Sequence, residues 1–325
     1  MVELESIEFC AGAGGQALGL ERAGFSHRLL VDNDPHCCRT LLENRPSWNV
    51  QLKNMEDVEN LPFHNIDLFA AGLPCPPFSV AGKQLGERDE RNLFEDALRL
   101  IAEIQPKFVL IENVRGFLDP VFAQYRGLLR TRFASLGYQV DWKLLQASDF
   151  GVSQLRPRVA VVAARPEFWR HYRFPAPQVQ LAEPVSHILY DLMAKNGWLG
   201  VDDWATHAHS IAPTIVGGSK KHGGPDLGPS RARAAWQKLG VNGSTIADDA
   251  PGRDFVGLPR LTPRMVARLQ GFPDDWAFTG KKTNAYRQIG NAFPPPVAEA
   301  LGRSIARAIA AKEGYPRLNQ ALAAE

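Results

Sequence analysis

Ile7-Glu8-Phe9-Cys10-Ala11-Gly12-Ala13-Gly14-Gly15 is the stretch that decides the fold. An apolar run stops at a cluster of glycines, and a helical pattern, Gln16 to Ala23, follows at once. Glycines there let the backbone turn tightly and come close to a cofactor. The spacing Gly12-x-Gly14-Gly15, then Gly19, is not a dinucleotide fingerprint and does not name a ligand by itself. The same alternation continues outward. Arg28 to Val31, Ile66 to Ala71 and Phe108 to Ile111 read as short buried strands, and Pro35 to Glu43 and Asn92 to Ile104 as helices. Buried strands alternating with helices imply an α/β fold with a parallel sheet covered on both faces. Tyr138 to Gln146 and Arg158 to Ala164 extend that sheet.

The chain has 325 residues, 45% hydrophobic and 22% charged, with a net charge of +2. That is the profile of a globular protein large enough for two domains. No stretch is long and apolar enough to span a bilayer, and the acidic start Met1 to Glu5 is no signal peptide. Four cysteines in this length do not form a disulfide framework, so a reducing cytoplasm fits. Positive charge is clustered. Arg156, Arg158, Arg165, Arg170 and Arg173 face only Glu167, and Lys220, Lys221, Arg231, Arg233 and Lys238 face only Asp226. Such clusters suit phosphate contacts or a solvated surface. After Pro166 the texture breaks, with prolines, glycine pairs and loop-like His207, His209 and Asp202-Asp203. Order returns at Thr262-Pro263, a capped helix start, and at a last amphipathic helix, Pro296 to Ala311.

Five elements carry chemistry. Asp32 and Asp34 end the second strand, where a carboxylate takes ribose hydroxyls or caps the helix at Pro35. Cys75 stands in the proline frame Gly72-Leu73-Pro74-Cys75-Pro76-Pro77, either a nucleophile or a small packed hydrophobe. Glu112-Asn113 ends another strand at the same sheet edge, as a proton donor or as a cap. Arg156 and Arg158, two apart, are expected on one strand face, where guanidinium forks suit a carbonyl or a phosphate. Gly290-Asn291 precedes the last helix. His36-Cys37-Cys38 lacks metal-ligand spacing and lies on a helix, so no metal is expected.

Taken in order, these segments resemble the DNA cytosine-5 methyltransferase family, prokaryotic restriction-modification type, from Ser6 to about Arg165 and again from Leu258 to about Ile305. The matching residues are Glu8 to Gly15, Asp32-Asn33-Asp34, Asp67 ahead of Pro74-Cys75, Glu112-Asn113-Val114, Gln154 to Arg158, Arg268 to Pro273 and Gly290-Asn291. The resemblance implies a Rossmann-like S-adenosylmethionine-dependent sheet domain over 1–167. It also implies a smaller irregular target-recognition domain over 168–257, and a hinge with a returning helix over 258–325. Cys75 would attack cytosine C6, Glu112 would contact N3 and the exocyclic amine, Arg158 would hold O2, and Arg156 would support the loop or a phosphate. The cofactor, leaving as S-adenosylhomocysteine, would lie against Cys10, Gly12, Gly14, Gly15, Asp32, Asn33, Asp67, Leu93 and Asn291, with Asp67 on the adenine amino group. Ser79, Thr214, Lys220, Lys221, Arg231 and Arg233 would contact DNA.

The chemistry accounts for the residue types. A thiolate adding at C6 activates C5 toward a methyl donor, and a carboxyl at N3 neutralises the charge that gathers there. The target base must flip out of the duplex to be reached. Three residues depart from the family pattern: Pro76 follows Cys75 where glutamine is common, Cys10 replaces an aromatic, and Glu8 replaces aspartate. The implied activity is methylation of a short double-stranded DNA site by a monomer in the cytoplasm, bound to the nucleoid when on DNA. A cognate restriction endonuclease would act separately. A transfer-RNA methyltransferase of the same family is disfavoured because no cysteine follows Cys75. A non-catalytic DNA-binding relative has no reason to retain Cys75, Glu112 and Arg158, and a nicotinamide dehydrogenase has no use for the Pro-Cys loop.

Overall fold

The computed structural model describes residues 3–74, 92–178, 182–217 and 224–315. Among the described residues seven strands form one sheet: β1 (Leu4–Phe9), β2 (Phe25–Asp32), β3 (Val50–Leu52), β4 (Leu68–Gly72), β5 (Phe108–Val114), β6 (Gln139–Gln146) and β7 (Pro157–Ala164). Their order is β3-β2-β1-β4-β5-β7-β6. β1 pairs in parallel with β2 and β4, β2 with β3, and β4 with β5, whereas β7 runs antiparallel to β5. The chain leaves β1 toward one edge and returns to β4 on its other side. The carboxyl ends of β1 and β4 therefore form the crevice where open α/β sheets bind ligands. A Cβ on Gly72 would lie 3.0 Å from the carbonyl oxygen of Cys10, so the backbones meet at this crevice.

Helices α1 (Gly15–Arg22), α2 (Pro35–Asn44), α3 (Phe94–Ile104), α4 (Ala123–Ser135), α5 (Pro166–Trp169) and α11 (Pro295–Glu313) accompany the sheet. The strands bury both faces. Ile7, Phe9, Phe69, Val109, Ile111 and Val161 join the α3 and α4 side chains Ile101, Ile104, Leu129 and Phe133 in one cluster, while Leu30 meets Ala17 and Leu41 of α1 and α2 in another. Phe9 and Phe69 stack at 5.2 Å. Burying each such side chain contributes about 1.5–3 kcal/mol. In α3, Phe94, Ala97, Leu98, Ile101 and Ile104 recur at helical spacing and are all buried.

Contacts divide the chain into two compact units: Met1–Leu145, Pro157–Ala176 and Val297–Glu325 in the first, Gln146–Arg156 and Pro177–Pro296 in the second. The second holds α6 (Val185–Ala194), α7 (Val201–His207), α8 (Ser230–Lys238), α9 (Pro263–Leu269) and α10 (Lys282–Asn291). Asp202, Asp203 and His207, expected in a loop, lie in α7. That helix has only seven residues between breakers, too few to show a period. α9 starts as its sequence predicts, with Thr262 Oγ1 accepting from the Met265 amide at 3.3 Å and Pro263 at the first position.

Candidate active site

The glycine turn opens the crevice. Cys10 has φ of 52°, and Gly12 and Gly14 have φ of 55° and 86°, the left-handed region that glycine enters without steric cost. A Cβ built on Gly12 meets nothing within 4 Å, so the turn faces open space. Asp32, at the end of β2, accepts the Gly12 amide on Oδ2 and the Asp34 amide on Oδ1, each at 2.8 Å. Asp34 accepts the His36 amide at 2.9 Å and caps α2. Asp34 thus takes the capping role, and Asp32 holds the glycine turn.

This corner of the sheet is acidic. Glu8 is buried, and burial followed by the charge of Asp32 holds its carboxyl well above the usual range. Burial, then Asp32, Glu56 and Glu8, push the Cys10 thiol up, so it packs rather than ionises. Asn33 is exposed and donates to Asn54 Oδ1 at 3.1 Å. Gly15 begins α1 and is buried. Leu93 precedes α3 with 9% exposure, packed in the large apolar cluster.

Asp67, expected on the adenine amino group, is elsewhere. It precedes β4, and its Oδ2 accepts the Glu5 amide at 2.8 Å at the start of β1. Its Oδ1 pairs at 2.8 Å with Lys107, whose ammonium also reaches Glu313. In parallel strands, residues before and after the strands occupy opposite sheet edges, roughly 17 Å apart for five residues. Asp67 therefore ties the amino edge to α11, away from the glycine turn. Two polar residues at the crevice edge that sequence reading missed are Asn54, two residues after β3, and Glu56, whose charge acts on Cys10. Their signal was small because β3 has three residues and two of them are exposed.

At the other side of the crevice, strand register sets Gly72 beside Glu112. The chain leaves β4 through Leu73-Pro74 toward Cys75. Cys75 and Ser79 lie outside the described residues. Glu112 pairs with Ala160 of β7, and Arg158 lies two residues from Ala160, on the same face. Arg158 Nε stands 2.7 Å from Glu112 Oε1, with side-chain exposures of 12% and 6%. Such a shielded pair is weak evidence for stability, because desolvation offsets the attraction. It does place a carboxylate and a planar donor side by side, which suits the edge of a planar base.

Arg156, expected to share a strand face with Arg158 and to support the loop or a phosphate, does not share that face, and its guanidinium is bonded to backbone carbonyls of the chain around it. It precedes β7 and is fully buried. Its Nη1 donates to the Ile215 carbonyl at 2.7 Å, and its Nη2 to the carbonyls of Gly290 and Ala292 at 2.8 and 3.0 Å. Thr214 donates its hydroxyl to the Leu155 carbonyl. Arg231 and Arg233 lie in the first turn of α8, exposed, and residues two apart on a helix face different ways. The Arg233 stem packs where a Cβ on Gly243 would come within 3.2 Å. Lys220 and Lys221 lie outside the described residues. Asn291 is the last residue of α10 and is exposed.

Comparison with known proteins gives the family and the fold. The sequence profile of the C-5 cytosine-specific DNA methylase family matches residues 4–307. The Type II methyltransferase M.NgoMIV of Neisseria gonorrhoeae is 51% identical over 311 residues, covering 95% of this chain and 99% of the relative. The Type II methyltransferase M.NaeI of Lentzea aerocolonigenes is 52% identical over 315 residues, covering 95% and 76%. Among solved structures, Spodoptera frugiperda DNMT2 superposes with a TM-score of 0.64 at 17% identity, covering 93% of this chain and 99% of that one. The Entamoeba histolytica methyltransferase EhMeth superposes with a TM-score of 0.62 at 18% identity, covering 94% and 98%. Those likenesses carry the fold, and the profile and the sequence relatives carry the family: the chain belongs to the C-5 cytosine-specific DNA methylases and is a DNA (cytosine-5)-methyltransferase.

Proposed function

We propose that this enzyme methylates C5 of a flipped-out cytosine in a short double-stranded DNA sequence, using S-adenosylmethionine and a covalent bond between Cys75 and C6. The observation that carries the reading is the strand register that sets Gly72, three residues before Cys75, beside Glu112, with Arg158 at 2.7 Å from Glu112. Arg158 donates to the cytosine O2, and Glu112 meets N3 and the exocyclic amine. The Cys75 thiolate adds to C6, and the electron pair displaced from the C5–C6 bond makes C5 a nucleophile. Glu112 supplies the proton that neutralises N3. Once C5 carries the methyl group, loss of the C5 proton to water re-forms the C5–C6 double bond, releases Cys75 as the thiolate and returns the N3 proton to Glu112.

The crevice fits the cofactor. A carboxylate facing an open glycine turn suits ribose hydroxyls, and the charges of Asp32 and Glu56 beside it suit a positively charged ligand. Gly12, Gly14, Gly15, Asp32, Asn33, Asn54 and Leu93 would hold it. When bound, S-adenosylmethionine supplies the electrophilic methyl group. The second unit, with Thr214, Arg231 and Arg233, reads the DNA. The relatives named Type II methyltransferases support a modification role, protecting DNA from a separate endonuclease.

Transfer of labelled methyl groups to plasmid DNA, followed by bisulfite sequencing, tests this for the wild type and Cys75→Ser. The wild type marks cytosines within one short sequence, and Cys75→Ser loses at least about 10³-fold in rate. A wild type that marks no cytosine overturns the activity, and an active Cys75→Ser overturns the covalent step.

A further inference from the structure

We propose that Arg156 is a positioning residue. Its guanidinium locks the segment Thr214–Gly217 onto the Gly290–Ala292 turn and thereby sets which DNA sequence is methylated. This rests on the reading of the second unit as the DNA-recognising part.

Arg156 has 0% exposure, and a charge so placed is tolerated only when its donors are met. Carbonyls from two separate stretches of chain meet its two terminal nitrogens: Ile215 on Nη1, and Gly290 and Ala292 at the end of α10 on Nη2. The carboxyl end of a helix, with its partial negative charge, is a favourable place for a cation. Two glutamines close the ring. Gln154 accepts the Ile215 amide at 2.8 Å and donates to Gln270 Oε1 at 2.6 Å, and Gln270 donates to the Ala292 carbonyl at 2.7 Å.

The chain is also tied down on both sides of Ile215. Gln154 and Ala212 form a β-bridge, and the Leu155 amide donates to the Ala212 carbonyl at 2.8 Å. The Tyr286 hydroxyl lies 2.9 Å from the Val216 carbonyl and 2.6 Å from that of Asp226. A Cβ on Gly217 would fall 2.4 Å from Asn291 Oδ1, and one on Gly290 would fall 2.4 Å from the Gly217 Cα. Only glycines allow the two backbones so close. Held this way, the segment turns Ile215 and Gly217 inward and leaves Thr214 half-buried and Val216 exposed. That is a strand-like presentation of alternate side chains, placed by a buried polar core rather than by its own pairing.

Lysine keeps the charge of Arg156 but not the planar fork that serves two directions at once. Arg156→Lys and Tyr286→Phe, made in the full chain, separate positioning from catalysis. Methylation rates are measured over a range of plasmid DNA concentrations, and methylated cytosines are mapped by bisulfite sequencing. For Arg156→Lys we expect the KM for DNA to rise about tenfold and the methylated sequence to broaden, with kcat at saturating DNA within about threefold. Tyr286→Phe moves both in the same direction by less. A kcat that collapses while KM stays constant overturns the proposal in favour of a catalytic Arg156, and two unchanged parameters overturn it altogether. Should Arg156→Lys lack the far-ultraviolet spectrum of the folded enzyme, Tyr286→Phe decides, and unchanged site choice overturns the proposal. Absence of methylation by the wild type would instead remove the underlying DNA-methylating reading.

Discussion

Asp32 and Asp67 are both acids beside a strand of the same sheet, and their fates differ because one follows its strand and the other precedes it. Asp32 bonds the Gly12 amide at the crevice, while Asp67 bonds the Glu5 amide and Lys107 at the far edge. Isothermal titration with S-adenosylhomocysteine separates them. Asp32→Asn is expected to weaken binding about tenfold, whereas Asp67→Asn leaves it within twofold and lowers the unfolding temperature by a few degrees, roughly 1–3 kcal/mol. The reverse pattern would return Asp67 to the cofactor. Residue types made Asp32, Glu112 and Arg158 legible in the sequence, since each sits at or just inside a strand end. Arg156 was misplaced because a two-residue spacing implies a shared face only within a strand, and β7 begins after it.

At the scale of elements, long apolar periods made α3 and α11 legible, and their packing partners came only from the fold. α11 lies on α1: a Cβ on Gly302 would stand 2.7 Å from Ala23 Cβ and 3.1 Å from Leu20 Cδ2. Valine at Gly302 is therefore expected to cost about 1–3 kcal/mol by forcing the helices apart. Urea titration of Gly302→Val against the wild type measures it, and an unchanged midpoint would mean that the joint has slack. The short elements stayed hidden. β3 offers three residues and α7 seven, less than the length over which a period of two or 3.6 declares itself.

At the scale of the whole molecule, acid sensitivity has a definite source. His27 on β2 joins β1, α1 and the turn before β3: Ser6 Oγ lies 2.8 Å from its Nδ1, the Ala17 carbonyl 2.8 Å from its Nε2, and Trp48 packs edge-on at 4.7 Å. The carbonyl fixes the proton on Nε2, so Nδ1 accepts from the serine. Burial, outweighing the carbonyl and Glu21, holds its proton affinity below the usual value. The unfolded chain therefore binds a proton that the folded one refuses. The contribution of His27 to stability is complete above about pH 6.5 and falls as the pH drops toward its folded value, with a slope of up to about 1.4 kcal/mol per pH unit. Urea midpoints between pH 5 and 8 should slope less in His27→Gln, and equal slopes would place the sensitivity elsewhere. The sequence alone determined the sheet strands with their glycine turn, the acid at the end of β2 and the placing of Glu112 and Arg158 at strand ends, because these follow from local pattern, while the pairing of Glu112 with Arg158 came from the antiparallel register of β5 and β7. Only the tertiary structure decided that Asp67 serves the opposite edge and that Arg156 braces a distant segment. Both outcomes depend on which edge a strand enters from and on carbonyls 59 to 136 residues away, contacts that no local pattern encodes.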